Sequence, residues 1–410
     1  MHFTLQAWLR ISLFNLLIIA SLGFLLRYKI AYSLPFIDQK HLLQGHSHFA
    51  FAGWVSQTLL LLIVAFLSKR GLENAFKKYH ALLFSNLIAA YGMLICFPIQ
   101  GYGLFSITFS TLSVFIAYLF TFHFWKDAKR LNLSEISVKW IKAGLVFNGI
   151  SSIGAFTLAY LMANKIVHQN WYLAAVYFFL HFQYNGWFFF ACIGLLFALL
   201  KDLGWKTSFE KRIYFLFALA CIPSYFLSTL WMKLPIIIYL IVIISATMQV
   251  IGMYYLMLFL VKNSTQLKHQ SPKLGFYLIA LAMLALCIKL LLQLFSTIPS
   301  LNQLAYGFRP IVIGYLHLVL LGFVSLFLLG YCIAKLYLLQ SKTLVFGSIT
   351  FASGIILNEL LLMMQGAAAM QSISIPYSNQ YLLLAACILF IGTLVIFLSL
   401  INSKSTRQTN

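Results

Sequence analysis

Stretches of about twenty apolar residues recur from one end to the other of this 410-residue chain. As a helix rising 1.5 Å per residue, about twenty residues span the ~30 Å hydrocarbon core of a bilayer. Within that core each backbone N–H and C=O has to be satisfied inside its own segment, which restricts the chain to a bundle of membrane helices. Composition agrees, with 62% hydrophobic and 9% charged residues and a mean hydropathy of +0.93, far more apolar surface than a soluble core of this size can hide. The pattern predicts an all-α integral membrane protein of about twelve transmembrane helices, near 9–29, 41–67, 81–99, 104–124, 142–163, 173–200, 213–231, 235–261, 274–297, 311–338, 343–365 and 381–402. No polar block suggests a soluble domain, so 1–410 reads as a single membrane domain. Arg27 and Lys29, rather than a small-residue cleavage site, follow the first apolar run, which is therefore expected to stay as a membrane helix. Six cysteines fall inside apolar segments without a CxxC pair and are expected as small buried hydrophobes.

A net charge of +21 invites a nucleic-acid reading, but the distribution of the charge argues against it. Of the 28 Lys and Arg residues, six (Arg27, Lys29, Lys40, Lys165, Lys233, Arg309) fall on one side of the predicted bundle. Lys289 falls inside a span, and the remaining 21 sit at the termini and in the short loops of the other side. That asymmetry is a topology signal, and it puts both termini in the cytoplasm. The expected setting is a bacterial inner membrane, with lipid as the first partner.

An internal repeat lies within the spans. The second contains His48-Phe-Ala-Phe-Ala-Gly53-Trp54, the sixth His181-Phe-Gln-Tyr-Asn-Gly186-Trp187, and the tenth His317-Leu-Val-Leu-Leu-Gly322-Phe323. Each reads His, four residues, Gly, large aromatic. The regular spacing suggests three four-helix units, roughly 1–130, 131–270 and 271–410, related by a pseudo-threefold axis normal to the membrane. Packing explains a Gly and an interfacial aromatic without further assumption. It does not explain the histidines, which by the helical rise lie roughly 9–12 Å below the outer edge of the hydrocarbon, all in one layer. Ionisable groups at that depth are costly and point to function.

His46 precedes His48 by two residues. Residues two apart on an α-helix point about 200° apart, so these two rings are placed to serve different sides of the span rather than one chelate. Zinc hydrolysis fits poorly, because HExxH is absent and only Glu359 among seven acidic residues lies deep in a span. Haem fits better. Neutral imidazoles could ligate it, and Lys40, Arg309 and Arg27 lie near the outer boundary where propionates would sit. Ordinary snorkelling at helix ends accounts for those cations equally well.

Twelve spans and histidines on the second, sixth and tenth resemble the catalytic subunit of the haem-copper oxidase superfamily, which includes nitric-oxide reductases. The string His46-Ser-His48 also resembles the His-x-His motif of those enzymes, carried there on the tenth span, and the NnrS family of nitric-oxide stress proteins is similar in having such a motif near its N-terminus. The resemblance implies one or two haems, b-type, with one of His46 and His48 paired with His317. The other would face a second centre with His181, the position of a sixth-span copper ligand. It also implies a quinol or cytochrome electron donor and accessory subunits. The chain departs from the pattern: span seven lacks the pair of copper-ligating histidines, and Asn185 stands where a Tyr follows the copper ligand. Tyr184 and Tyr177 lie on nearby faces, and Asn185 and Tyr184 are placed to orient the His181 ring.

Glu359 and Lys289 are the deep charges, and they are expected either as an ion pair between neighbouring helices or with Glu359 as a proton donor to the outer centre. Three readings of function stand at this point. The first is a haem redox protein handling a diatomic gas such as nitric oxide or oxygen. A non-catalytic haem sensor or electron conduit is the second. The third is a transporter, which broken helices at mid-membrane would favour.

Overall fold

The structure, a computed structural model, describes residues 3–205 and 209–402, without the side chains at 266, 303–306 and 402. Lys206, Lys404 and Arg407, counted above with the basic side of the bundle, lie outside the described residues. Among the described residues the chain is helical and contains no strand. Eleven helices are long and apolar enough to cross a membrane, and a bent pair makes a twelfth. In chain order they are α1 (Leu5–Ala31), α2 (Gln39–Lys69), α3 (His80–Gln100), α4 (Leu104–Arg130), α5 (Ile136–Ala163) and α6 (Gln169–Asp202). The bent pair is α7, Glu210–Cys221 meeting Pro223–Thr229 at 49°. After it come α8 (Ile236–Lys262), α9 (Lys273–Phe295), α10 (Arg309–Ala334), α11 (Lys342–Met370) and α12 (Ser378–Ile401). The seventh span, expected as one straight helix over 213–231, is thus broken in the middle. Pro223 has no N–H to offer the preceding turn, and that is the cause.

Local chemistry sets several of the helix starts. Thr4 accepts from the N–H of Ala7, Asp38 from that of His41 and Ser341 from that of Leu344, each satisfying one of the donors a helix leaves open at its N-terminus. Pro235 and Pro272 stand immediately before α8 and α9. Between α3 and α4 the chain turns at Gly101, whose φ of +60° suits a residue without Cβ. A Cβ there would also meet the His41 ring at 2.5 Å.

Contacts divide the chain into two compact units, one formed by 1–131 with 328–410 and the other by 132–327. In the first unit α2 packs on α3, α3 on α4, α1 on α12, and α12 on α11. The last pair meets closely through small residues: a Cβ on Gly392 would lie 2.6 Å from the backbone N of Phe351, and one on Gly347 2.8 Å from that of Ile396. In the second unit α5 packs on α6, α7 on α8, α8 on α9, and α9 on the middle of α10.

Exposure separates two kinds of helix. The most apolar stretch of α6 is buried along its whole length and that of α2 along 89% of it, whereas α4 buries only 17%. Leu104, Phe105, Phe115 and Phe122 on α4 are exposed, as apolar residues facing lipid are. The histidine-bearing α2 and α6 are therefore the interior helices.

One buried charge escapes a reading of the sequence alone. Asp127 near the end of α4 is fully buried, bridged by the Lys78 ammonium and by the Tyr79 hydroxyl at 2.8 Å. Burial and that carboxylate push the Tyr79 phenol well above its ordinary range.

Candidate functional site: three histidines ahead of three π-helical segments

The sequence repeat extends to the backbone. In α2, α6 and α10 the α-helical ladder gives way to a π-helical segment, at Ala50–Ser56, Phe182–Phe188 and Leu318–Ser325. His181 and His317 are the residues immediately before theirs, and His48 stands two before its own. A π-helix closes its hydrogen bonds over five residues instead of four, is rare, and is found frequently at functional sites. In α2 the N–H of Gln57 bonds the carbonyl of Ala52, five back, and in α10 the Ser325 hydroxyl donates to the carbonyl of Leu320 at 2.8 Å, again five back. The repeated Gly lies inside each segment, where a Cβ would strike a neighbour: the Phe49 ring at 2.6 Å for Gly53, Phe147 Cβ at 2.5 Å for Gly186, Ala285 Cβ at 3.2 Å for Gly322.

In the first unit the π segment is held by polar side chains inside the apolar bundle. Asn15 of α1 donates to the carbonyl of Gly53 at 2.6 Å, and Asn86 of α3 donates to that of Ala52 at 3.2 Å and to Gln57 Oε1 at 2.8 Å. Tyr91 completes the set by donating to Asn15 Oδ1 at 2.8 Å. Backbone carbonyls displaced from the α pattern are costly in hydrocarbon unless such donors reach them.

His46 and His48, just ahead of this segment, face different helices, as their spacing predicts. Gly45 lets α2 approach α3, since a Cβ there would lie 2.8 Å from Pro98 Cγ. His48, on the same side, stacks on Phe97 of α3 with ring centroids 4.1 Å apart, and its Nε2 lies 3.3 Å from the Tyr102 hydroxyl. The phenol of Tyr102, in the turn after α3, is shifted up by burial. His46 faces α1 instead. Its ring lies over Gly23, 3.5 Å from where a Cβ would be, and the backbone of Ile19 is close by. Its Nδ1 is buried and finds no partner among the described residues. The Arg27 charge acts on both His46 and Glu359, and Asn358 donates to Glu359 Oε1 at 3.1 Å.

The second unit uses the same motif differently. His181 is fully buried, and both ring nitrogens are engaged. Nε2 lies 2.8 Å from the carbonyl of Cys221 and Nδ1 3.0 Å from Asn185 Nδ2. A carbonyl accepts, so Nε2 carries the proton and Nδ1 takes a bond from the Asn185 amide. The Cys221 carbonyl is available because α7 breaks one residue later, and Ser224 donates to it as well at 3.0 Å. Gln249 of α8 donates to Ser224 Oγ at 2.9 Å and extends the network. A cavity of about 10 Å³ beside it, lined by Asn185, Cys221, Gln249 and Lys289, is of the size of one water and far below a macrocycle.

The other residues picked out from the sequence are placed as follows. Tyr184 is buried near Ser228, with its ring edge-on to Tyr315. Asn185 orients His181 as expected. Lys40 and Arg309 are exposed in the first turns of α2 and α10. His317 ends the α-helical first part of α10. Within its own unit, Lys289 has Cys221 as an electrostatic neighbour, and within its own, Glu359 has Arg27. His80 packs edge-on against Phe3 and Trp8 at 5.4 and 5.8 Å. Sequence reasoning missed Ser224 and Gln249, although Pro223 in mid-span was a signal that backbone carbonyls there would need donors.

Tested against a haem, the donor set fits at His46, where a buried nitrogen is orphaned, and does not fit at His181, where both nitrogens are spent. No group of three His, Cys, Asp or Glu side chains converges on a metal-sized point among the described residues. No protein-family model and no curated protein matches the chain.

Proposed function

We propose that this chain is a membrane-integral haem protein of the inner membrane, both termini cytoplasmic, that handles electrons and a diatomic gas such as nitric oxide or oxygen. One observation carries the reading: three histidines in equivalent sequence motifs each lead into a π-helical segment, a rare element that is frequent at functional sites. His46 is the residue assigned to hold the group. Its Nδ1 is buried and has no partner among the described residues, which makes it the nitrogen offered to the group. Gly23 keeps α1 clear of the ring, and Arg27 supplies positive charge nearby. Haem held there, b-type since the sequence has no CxxCH attachment site, would supply a reversible one-electron change and a place for a diatomic gas to bind. Electrons would come from a quinol or a cytochrome. Copper is left out of the proposal, because His181 has no nitrogen to give.

An optical spectrum of the purified protein tests this. A Soret band that shifts with carbon monoxide or nitric oxide on reduction supports gas handling. A band that neither gas moves narrows the function to electron conduction or sensing. The haem reading fails if no Soret band is present in protein expressed with ample haem.

A second reading, transport, is favoured by the break in α7. Interrupted membrane helices expose carbonyls that bind ions in many carriers. Reconstituted vesicles that move protons or monovalent cations down a gradient, without any haem absorbance, would establish it instead.

A further inference from the structure

One cavity of the second unit has a lining that contains none of the histidines. It has a volume of about 330 Å³ and lies where α5 begins, α6 ends and α7 begins, on the face where basic residues crowd. Two of its lining side chains carry polar hydrogens with no partner among the described residues: the hydroxyl of Ser137, which is 1% exposed, and the indole N–H of Trp205, which is 9% exposed. The cavity also takes in the first turn of α5, a 28-residue helix whose N-cap, Glu135, makes no side-chain cap bond. Backbone N–H groups at such a terminus, with the helix dipole behind them, favour an anion. Lys139, Lys201 and Lys211 line the same space. Glu135 is held by Lys201 at 3.2 Å, and Glu210 lies under the influence of Lys201 and Lys211, so the lining keeps one positive charge in excess. Phe197, Leu200 and Phe259 form an apolar wall, with Trp205 edge-on to Phe259 at 5.7 Å.

We propose that this cavity is a phosphate-binding site, in which Ser137 Oγ–H, Trp205 Nε1–H and the open first turn of α5 donate to phosphate oxygens while the lysines balance the charge. Two orphaned buried donors, one uncapped helix start and a net positive lining all ask for an acceptor-only anion with several oxygens. The phosphate can belong to an anionic lipid headgroup, whose chains would lie along the apolar wall, or to a soluble phosphate compound. The site is independent of the haem reading and stands or falls separately.

The test uses the full chain purified in neutral detergent. Binding of inorganic phosphate is followed by calorimetry, and retention of phosphatidylglycerol against phosphatidylcholine by native mass spectrometry. Saturable binding of inorganic phosphate identifies a soluble source. Preferential retention of phosphatidylglycerol with no phosphate binding identifies lipid. A hydrogen bond to a charged group contributes ~1.5–3 kcal/mol, so Ser137→Ala with Trp205→Phe is expected to weaken whichever binding is seen by about tenfold or more. Lys139→Gln, an exposed position that does not threaten folding, is expected to weaken it about threefold and to lower its salt sensitivity. The proposal is overturned if the wild-type chain binds inorganic phosphate no better than chloride and retains the two lipids alike. It is overturned equally if binding in both the double variant and Lys139→Gln stays within twofold of wild type.

Discussion

The α2 and α6 segments share a motif, a π-helical turn and an interior position, yet they present opposite chemistry. On α6 the imidazole is closed off, with one nitrogen on the Cys221 carbonyl and the other under the Asn185 amide. On α2 the equivalent His48 leans on Phe97 and Tyr102, and the additional His46 keeps a buried nitrogen unspent. The difference comes from the neighbours. α7 breaks at Pro223 and offers a carbonyl that wants a donor, whereas α1 is continuous and sets Gly23 against the His46 ring. A histidine in hydrocarbon can thus serve as mortar or as a ligand, and the helix beside it decides which.

Breaking the comparison starts with the two histidines. His46→Ala is expected to abolish the Soret absorbance while leaving the thermal unfolding temperature in detergent close to wild type. His181→Ala should do the reverse, keeping the absorbance and costing about 2–4 kcal/mol of stability, since it opens a cavity and strips partners from two buried polar groups. An unfolding temperature that falls equally in both variants would erase the distinction. Smaller in effect, the glycines of the π segments sharpen it. Gly186→Ala drives a methyl into Phe147 Cβ and is expected to cost about 1–3 kcal/mol, whereas Gly322→Ala meets Ala285 only at 3.2 Å and should cost less than ~1 kcal/mol. Differential scanning of the two variants side by side checks the ranking.

Much of this was legible in the sequence. Hydropathy alone located the spans, because the physics of burying backbone in lipid leaves a continuous apolar run as its trace. The spacing of His46 and His48 predicted that they face different helices, and they do. The π segments were not legible, since they are a matter of hydrogen-bond register rather than of residue type. Nor was the state of His181, which depends on a carbonyl forty residues away. Asp127 was hidden for a similar reason: its partners, Lys78 and Tyr79, come from the loop on the far side of α3.

The smallest expected effect lies at the start of α2. Asp38 accepts from the His41 N–H, and that bond holds its carboxyl below the ordinary value of 3.8. A carboxylate whose proton affinity is lowered by folding stabilises above its unfolded value and loses that contribution as pH falls through the folded one. Amide exchange at His41 should therefore quicken as acid is added below about pH 4, relative to the intrinsic rate, and Asp38→Ala should remove that dependence. Equal protection in both chains across the range would show that the cap does nothing for α2.

Each π segment also sets a clock wrong. Closing a turn over five residues instead of four admits one more residue, and one residue of an α-helix is worth about 100° of rotation. Upstream and downstream of Gly53, Gly186 and Gly322 the three spans run out of phase with themselves, so a helical wheel drawn through any of them assigns one half to the wrong side. Deleting a single residue between 50 and 56 would bring α2 back into step and swing His46 away from α1, without altering any side chain that touches it.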